Sequence, residues 1–382
     1  MKCLGLDVRT NAVLEVSGSG VIEHVEEQIG ASAGGLPFVA PGFIDIQING
    51  FAGADYCSPA ESMEAIAKSL RAQFSTGTTR CFPTVITGSP EGMLGAVRNL
   101  RRAKETLPEG PAMEGFHIEG PYISPDDGPR GAHPRQWVRR PDIEEFKRWQ
   151  DGAGGFVKLI TISPEWAEAP KYIEHVVSEG VVVSIGHTKA SAEQISECVR
   201  AGATLSTHLG NGAHGEMRRH PNYLWDQLAE DRLNASFIVD GIHLGGAFLK
   251  VALRAKGIER SVLVTDAVAP AMCAPGPFKL GEVEVELLEN ESVVLRGGTR
   301  LAGSSLRMDR GVTKLMQIAG LSLVEALAMA TVNPARVGRV SGRLRGLNPG
   351  DRADLVLFDY DEASRSIAIR ETWMGGQRVY AA

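Results

Sequence analysis

The stretch from Gly42 to Pro83, GFIDIQINGFAGADYCSPAESMEAIAKSLRAQFSTGTTRCFP, decides the fold class. It holds a short apolar run at 42–48, a segment with apolar side chains at helical spacing, and a second short run at 79–83. The apolar positions of the helical segment are Met63, Ile66, Ala67, Leu70 and Phe74. A strand, a helix and a strand in this order predict a βαβ unit with parallel strands.

The same alternation continues along the chain and gives eight short runs. These predicted strands are 42–48, 79–83, 112–117, 156–162, 181–185, 203–207, 234–239 and 261–265. Eight parallel strands with intervening helices are the number that closes into a barrel. An open, doubly wound sheet is the alternative, but no GxGxxG turn follows the first strand. The sequence therefore predicts an α/β fold with a (β/α)8 TIM-type barrel.

Both ends of the chain predict β structure instead of helix. Residues 1–40 contain short alternating pieces, and residues 343–382 contain apolar pieces at 353–358 and 378–380 between Gly and Pro turns. We expect these two segments to form one small β domain beside a barrel of residues 41–342.

Two further features are predicted after the eighth strand. A β-hairpin is expected near 281–296, with strands at 281–288 and 292–296. Helices at 310–319 and 323–330 are expected to close the barrel part.

Composition excludes several classes of function. The 382 residues include 40 basic and 46 acidic side chains, a formal net charge of −6, and the basic residues form no run longer than a pair. This argues against nucleic acid as a partner. No apolar run approaches the length of a membrane helix, and the first ten residues lack the plan of a signal peptide. We therefore expect a cytoplasmic protein, and the five cysteines, which form no CxxC pair, are expected to be reduced thiols.

Polar side chains follow most of the predicted strands within a few residues. Because barrel active sites lie at the carboxyl ends of the strands, these side chains are expected to converge. They are Gln47, Asn49, Glu119, His187, His208, His243 and Asp266.

Three of these residues form a two-histidine, one-carboxylate set. Glu119, His187 and His208 suit a catalytic zinc or iron that keeps one position open. Asp266 ends an apolar strand and is predicted to be a general base, with a helix or turn cap as the alternative. His117 could be a further ligand, but we favour a structural role for it.

Ten motifs, in one order, resemble the amidohydrolase superfamily and, within it, the N-acetylglucosamine-6-phosphate deacetylase family. They are APGFIDIQING (40–50), FHIEGPY (116–122), RGAH (130–133), IGHT (185–188), TH (207–208), DGIH (240–243), VTDA (264–267), LAGSS (301–305), ATVNPAR (330–336) and GDRADL (350–355). The resemblance implies a metal-dependent deacetylase, usually a homodimer, that acts on an amino-sugar phosphate and releases acetate.

The same resemblance implies roles for single residues. Glu119, His187 and His208 match the metal ligands, Asp266 matches the catalytic acid/base, and His133 matches a residue near the acetyl carbonyl. The positions expected to contact substrate are Ala132, His133, Asn211, Gly212, Arg219, His243, Leu301, Ala302 and Gly303. Gln47 and Asn49 stand where many amidohydrolases carry His-x-His, so one divalent metal ion per chain is expected, zinc before iron.

The departures from the family lie in one loop. After His208 and Leu209 the family typically has an aromatic residue and then Asn-Ala-Met, whereas this chain has Gly210-Asn211-Gly212-Ala213-His214. Another N-acyl or cyclic amide substrate therefore remains an alternative, as does a sugar-phosphate-binding barrel without activity. Arg218 is an alternative to Arg219 as a phosphate ligand, because the two are adjacent.

Overall fold

Two sheets contain most of the strands in the computed structural model, which describes residues 1–343 and 346–382. The N-terminal strands belong to the smaller domain. They are β1 (Lys2–Asp7), β2 (Val13–Ser19), β3 (Val21–Glu27) and β4 (Phe38–Pro41). The chain then enters the barrel directly after Pro41.

The barrel is an eight-stranded parallel sheet. Its first strand is β5 (Phe43–Ile48), which is followed by the small ribbon β6 (Gly50–Phe51) and β7 (Ala54–Asp55). The other barrel strands are β8 (Thr78–Ile86), β9 (Phe116–Glu119), β10 (Val157–Ile162), β11 (Val182–Ile185), β12 (Leu205–Ser206), β13 (Asn234–Ile238) and β14 (Ser261–Val264). Each strand pairs with the next. The Asp266 amide donates to the Gln47 carbonyl at 2.9 Å and joins the last strand to the first, as the prediction of a barrel requires.

Helices follow the strands and cover the outside of the barrel. They are α1 (Met63–Phe74), α2 (Pro90–Thr106), α3 (Ile143–Ala153), α4 (Ala169–Ser178), α5 (Ala192–Ala201), α6 (Tyr223–Ala229) and α7 (Gly246–Lys256). In α1 the Ser62 hydroxyl caps the first turn, and Ile66, Leu70 and Phe74 form the buried face. Within the described residues, no helix combines the length and apolar character needed to cross a membrane.

The insert after β14 is larger than the predicted hairpin. It has three antiparallel strands, β15 (Gly276–Leu280), β16 (Val283–Leu287) and β17 (Val293–Leu295). The extra strand contains Pro277, a residue that normally argues against a strand but is tolerated at a sheet edge. Along the chain, the insert is followed by α8 (Met308–Lys314), a π-helical turn at Leu315–Ala319, α9 (Leu323–Ala330) and α10 (Val332–Val337).

The two ends of the chain meet in one seven-stranded sheet, which agrees with the prediction of a shared β domain. The C-terminal strands are β18 (Leu355–Asp361), β19 (Ser366–Met374) and β20 (Gln377–Ala381). The order is β20-β19-β18-β4-β1-β2-β3, so β18 pairs with the strand that leads into the barrel. Buried Asp354 binds both Arg80 and Arg343, at 2.7 and 3.0 Å, and links this sheet to the barrel.

Two predicted strand positions need correction. The third strand does not begin at residue 112, because Gly110–Ala112 form a 3-10 turn and the strand starts at Phe116. The sixth strand, predicted at 203–207, contains only Leu205–Ser206, because the chain turns away from the sheet at His208, where φ is +27°. The two corrected strands lead to Glu119 and His208, which are predicted site residues.

Candidate active site

Three of the predicted site residues directly follow barrel strands in strained backbone conformations. His187, His208 and Asp266 have φ values of +50°, +27° and +50°, in the left-handed region that residues other than Gly rarely adopt. Such strain persists where the surroundings impose it, and it is common at functional sites. It turns these three side chains toward Glu119, the last residue of β9.

The predicted metal ligands present their donor atoms to one another. The Glu119 Oε1 atom lies 3.2 Å from His187 Nε2 and 2.9 Å from His208 Nε2, and the two nitrogens are 3.1 Å apart. Ligand atoms bound at about 2.0–2.2 Å in a tetrahedral site are about 3.3–3.6 Å apart. The observed triangle is only slightly tighter, so it fits a single metal ion.

The hydrogen bond on the far side of His187 identifies its protonated nitrogen. His187 Nδ1 lies 2.8 Å from the carbonyl of Pro129, which can only accept, so Nδ1 carries the proton. In the neutral ring, Nε2 then offers a lone pair toward the Glu119 carboxylate. Two acceptor atoms as close as His187 Nε2 and Glu119 Oε1 require a proton or a cation between them. A metal-binding histidine usually donates its other ring N–H to a backbone carbonyl or a carboxylate, as Nδ1 does here.

The electrostatics of Glu119 also favour a charged ligand. Burial alone would raise the pKa of Glu119, but the neighbouring imidazoles of His187 and His208, 3.2 and 2.9 Å from Oε1, outweigh it and hold that pKa well below its usual range. The carboxylate therefore remains ionised at neutral pH.

Asp266 lies beside this triangle and is held by two amide side chains. Asn49 Nδ2 donates to Asp266 Oδ1 at 2.7 Å, and Gln47 Nε2 lies 3.2 Å from the same oxygen and 3.0 Å from Glu119 Oε1. Burial raises the pKa of Asp266 to about 6, and the charge of Glu119 acts in the same direction. Gln47 and Asn49 thus act as hydrogen-bond donors to the two carboxylates.

His133 comes to the same place from the loop that follows β9. Its ring centre lies 4.3 Å from that of His187, and its Nδ1 is 2.8 Å from the hydroxyl of Thr87. Burial, with a contribution from His187, holds the pKa of His133 well below its usual value, so the ring is neutral. Donor atoms of Glu119, His133 and His187 lie within 4.8 Å of one another, so His133 could itself approach a metal ion.

His117, the other candidate near Glu119, has two hydroxyl neighbours instead. Its Nε2 lies 2.7 Å from Thr161 Oγ1 and its Nδ1 lies 3.4 Å from Thr84 Oγ1. Burial lowers the pKa of His117 to about 4. It is a neutral histidine of the barrel interior, which fits the structural role that we favoured.

A cavity of about 470 Å³ opens above these groups. Besides Glu119, His187, His208 and Asp266, it is lined by eight of the predicted substrate positions: Ala132, His133, Asn211, Gly212, His243, Leu301, Ala302 and Gly303. Arg219 is not among the lining residues. Its side chain is exposed, as is that of Arg218.

The altered loop after His208 has a steric explanation at two glycines. A Cβ atom at Gly210, where φ is +101°, would lie 2.6 Å from the ring of Phe248 on α7. A Cβ atom at Gly212, where φ is +56°, would lie 2.7 Å from His187 Nδ1. The chain therefore passes closer to α7 and to His187 than a residue with a side chain allows.

His243 reaches the cavity with its ring fixed by a carboxylate. Its Nδ1 lies 2.6 Å from Asp240 Oδ2, and both side chains are largely buried. Burial would raise the pKa of Asp240, but the hydrogen bond from His243 lowers it overall. The Asp240 carboxylate therefore leaves Nε2 of His243 available to a ligand.

Two site residues were missed from the sequence. Among the described residues that line the cavity, Arg300 is the only Arg or Lys, and its Nη1 donates to the Gly131 carbonyl at 3.2 Å. Its position directly before the 301–303 stretch was the available signal. Thr87, whose hydroxyl lies beside His133 Nδ1, had no signal in the sequence. It directly follows β8, and this strand was predicted to end at residue 83 but extends to Ile86.

Comparisons with known proteins agree with this geometry. The sequence profile of the amidohydrolase family matches residues 38–379. The chain is 33% identical over 324 residues to the N-acetylglucosamine-6-phosphate deacetylase of Bacillus subtilis (strain 168), which covers 84% of this chain and 80% of the relative. It is 33% identical over 353 residues to the Homo sapiens protein of the same name, with coverage of 90% and 84%.

Solved structures of such deacetylases have the same fold. The Mycobacterium smegmatis enzyme, solved as an Asp-to-Ala variant in complex with N-acetyl-D-glucosamine-6-phosphate, superposes with a TM-score of 0.87 at 29% identity, over 97% of this chain and 95% of that chain. The Thermotoga maritima enzyme gives a TM-score of 0.85 at 27% identity, over 99% of both chains.

Proposed function

The chain belongs to the amidohydrolase family, and we propose on that basis that it hydrolyses N-acetylglucosamine 6-phosphate to glucosamine 6-phosphate and acetate. The observation that carries the proposal is the convergence of Glu119, His187, His208 and Asp266 at the floor of one cavity. The predicted sugar-contacting positions line the same cavity. A single site thus offers groups for amide hydrolysis and room for a sugar.

Glu119, His187 and His208 would hold one divalent ion, zinc before iron. Two nitrogen donors and one carboxylate suit either metal, and a catalytic zinc with three protein ligands keeps one position open. Gln47 and Asn49 are already engaged with Asp266, which argues against a second ion. When bound, such an ion polarises a carbonyl oxygen and lowers the pKa of water.

Asp266 would move the protons of the reaction. As a carboxylate it accepts the proton of the attacking water, and it then returns that proton to the amine as the C–N bond breaks. The hydrogen bonds from Asn49 and Gln47 leave Oδ2 as the oxygen free for this exchange. The amine needs the proton because it cannot leave as an anion at neutral pH.

His133 would stabilise the negative charge that develops on the acetyl oxygen. For this role Nε2 must carry the proton, so Nδ1 must accept from the Thr87 hydroxyl, and the 2.8 Å separation permits that. Burial in a neutral state keeps the ring as a fixed donor.

The rest of the cavity would bind the sugar and its phosphate. The lining includes Asn211, Gly212, His243, Ala132 and the stretch 301–303. Arg219 stays a predicted phosphate ligand. Because its side chain lies outside the cavity, it would need closure of the 210–221 loop or a second copy of the chain.

The proposal includes a cytoplasmic homodimer, which is supported by the resemblance to the family. Light scattering coupled to size-exclusion chromatography tests the dimer. A mass near the 40.9 kDa of one chain would contradict it.

One observation favours a second candidate function. The altered loop at 210–214 lines the cavity, so the chain could act on another N-acyl or cyclic amide. Acetate and free amine should be measured with N-acetylglucosamine 6-phosphate, plain N-acetylglucosamine and a set of cyclic amides. Preferred turnover of the phosphorylated sugar supports the proposal, and preferred turnover of another amide replaces it. Binding of the sugar phosphate without turnover would identify a binding protein.

A further inference from the structure

We propose that His214 is a specificity-determining residue that donates its Nε2–H to the phosphate of the substrate, and that Tyr223 fixes its ring for this purpose. The inference rests on the proposed function, since it assumes a phosphorylated sugar in the cavity. It gives a role to the residue that most clearly separates this loop from the family pattern.

The contacts of His214 place it in the cavity wall. It lines the cavity two residues beyond Gly212, where an added Cβ atom would lie 2.7 Å from His187 Nδ1. Its backbone N–H donates to the Tyr223 hydroxyl at 2.9 Å, and its Nδ1 lies 3.0 Å from the same oxygen. Tyr223 is the buried first residue of α6, so a helix anchors this part of the loop.

Proton accounting at the Tyr223 hydroxyl determines which nitrogen is the donor. The oxygen already accepts the backbone N–H of His214 and has one proton of its own to donate. Burial raises the pKa of Tyr223, so this proton stays in place at neutral pH. Its acceptor in the described part of the chain is His214 Nδ1. In the neutral ring, the proton of His214 is then on Nε2.

The other face of the ring is held by the loop that carries His133. A Cβ atom at Gly128 would lie only 3.0 Å from His214 Cδ2, so the loop backbone packs directly on the imidazole. Nε2 has no protein partner among the residues that the structure describes. A ring held on two sides, with its donor nitrogen free, is organised in advance for a ligand.

The charges around the cavity favour an anionic group as that ligand. The floor contains the carboxylates of Glu119 and Asp266, whereas Arg300 is the only Arg or Lys in the lining that the structure describes. The reacting acetamide must lie against the floor, so the remote phosphate faces the loops that carry His214 and Arg300. A phosphate has more acceptor positions than Arg300 can fill, and hydrogen bonds to a charged group are the stronger ones.

The test compares four proteins on two substrates. Wild type, His214→Ala, Tyr223→Phe and the double variant are assayed with N-acetylglucosamine 6-phosphate and with plain N-acetylglucosamine. We expect His214→Ala to raise KM for the phosphorylated sugar about 10- to 100-fold with kcat nearly unchanged, and to leave the plain sugar almost unaffected. Tyr223→Phe should change KM in the same direction by less, and should add nothing to His214→Ala.

Two further variants guard the interpretation. His214→Gln keeps a donor and should recover part of the lost affinity. His220→Ala removes an exposed histidine of the same loop outside the cavity lining, and should behave as wild type. If His214→Ala fails to fold, Tyr223→Phe decides the matter: unchanged KM for the phosphorylated sugar would overturn the inference.

Each outcome either supports or overturns the inference. Equal losses on both substrates, additive effects of the two single variants, or unchanged KM in His214→Ala would overturn the role of His214 alone. A wild-type protein that does not hydrolyse the phosphorylated sugar would overturn the proposed function, and this inference with it.

Discussion

The floor and the mouth of the cavity are built in different ways. The floor consists of Glu119, His187, His208 and Asp266, which are fixed at the ends of barrel strands and are all at most 8% exposed. The mouth consists of loop residues, including His214 and Arg300, whose side chain is 46% exposed. The topology of the barrel determines the positions of the floor, whereas each mouth residue depends on contacts between loops. We therefore expect the chemistry of this site to be less adaptable than its substrate preference.

The largest effect is expected from removing a metal ligand at the floor. His187→Ala should lose the bound metal, and activity should fall by about three orders of magnitude or more, because metal catalysis supplies several kcal/mol. Elemental analysis and acetate release measure the two losses. Full activity in a protein without metal would show that the floor works in another way.

A smaller loss of activity is expected from substitution of Asp266, the acid/base residue at the floor. Asp266→Asn should retain the metal and the KM but lower kcat by at least about 10²-fold, since the amide cannot take the proton. Its carbonyl oxygen can still accept the hydrogen bond from Asn49, so the geometry should survive. Turnover close to the wild-type rate would place proton transfer on another group.

At the mouth, the arginine variants should separate the two substrates. If Arg219 binds the 6-phosphate, Arg219→Ala should cost about 1.5–3 kcal/mol, or about 10- to 100-fold in kcat/KM, with the phosphorylated sugar only. Arg300→Ala should show the same selectivity from inside the cavity. Arg218→Ala is assayed beside it, because Arg218 is the alternative phosphate ligand and is exposed in the same loop. Equal losses on both sugars would mean that the mouth recognises another ligand.

The pH dependence of kcat/KM tests the floor separately from the mouth when the substrate has no phosphate, because the substrate then has no titrating group for the mouth to bind. Burial raises the pKa of Asp266 to about 6, and a cation on Glu119 would lower it. Because the carboxylate is the active form, kcat/KM for N-acetylglucosamine should fall about tenfold per pH unit below a midpoint at or under pH 6. Asn49→Ala removes a bond to the charged form and should move this midpoint upward. A value of kcat/KM that rises as the pH falls below 6 would contradict the assignment of the base.

Barrel strands were predictable because each is a short apolar run between helices with a clear buried face. Residues Met63–Phe74 and Leu323–Ala330 form the predicted helices within the predicted limits. The four-residue shift in the start of the third strand, from residue 112 to Phe116, was not predictable, since Ala112 is apolar but belongs to a 3-10 turn. Strand β19 was missed because Arg370 and Glu371 interrupt its apolar pattern at an exposed face.

Residues at the floor of the site could be found from the sequence for a related reason. The carboxyl ends of all barrel strands lie at one face, so a polar residue just after a strand is expected at that face. The partners that orient these residues could not be found from the sequence. The Pro129 carbonyl binds His187, and the Thr87 hydroxyl binds His133, through contacts between loops distant in sequence. The predicted roles of the floor and mouth residues stay predictions until the variants are measured.

The most direct test of the account is a metal titration of the wild-type protein after removal of metal with a chelator. Zinc or iron(II) is added in steps while acetate release from N-acetylglucosamine 6-phosphate is followed. The account predicts activity that is absent at the start and saturates at one metal ion per chain, because the floor offers one complete set of ligands. Saturation only at two ions, or undiminished activity before any metal is added, would contradict it.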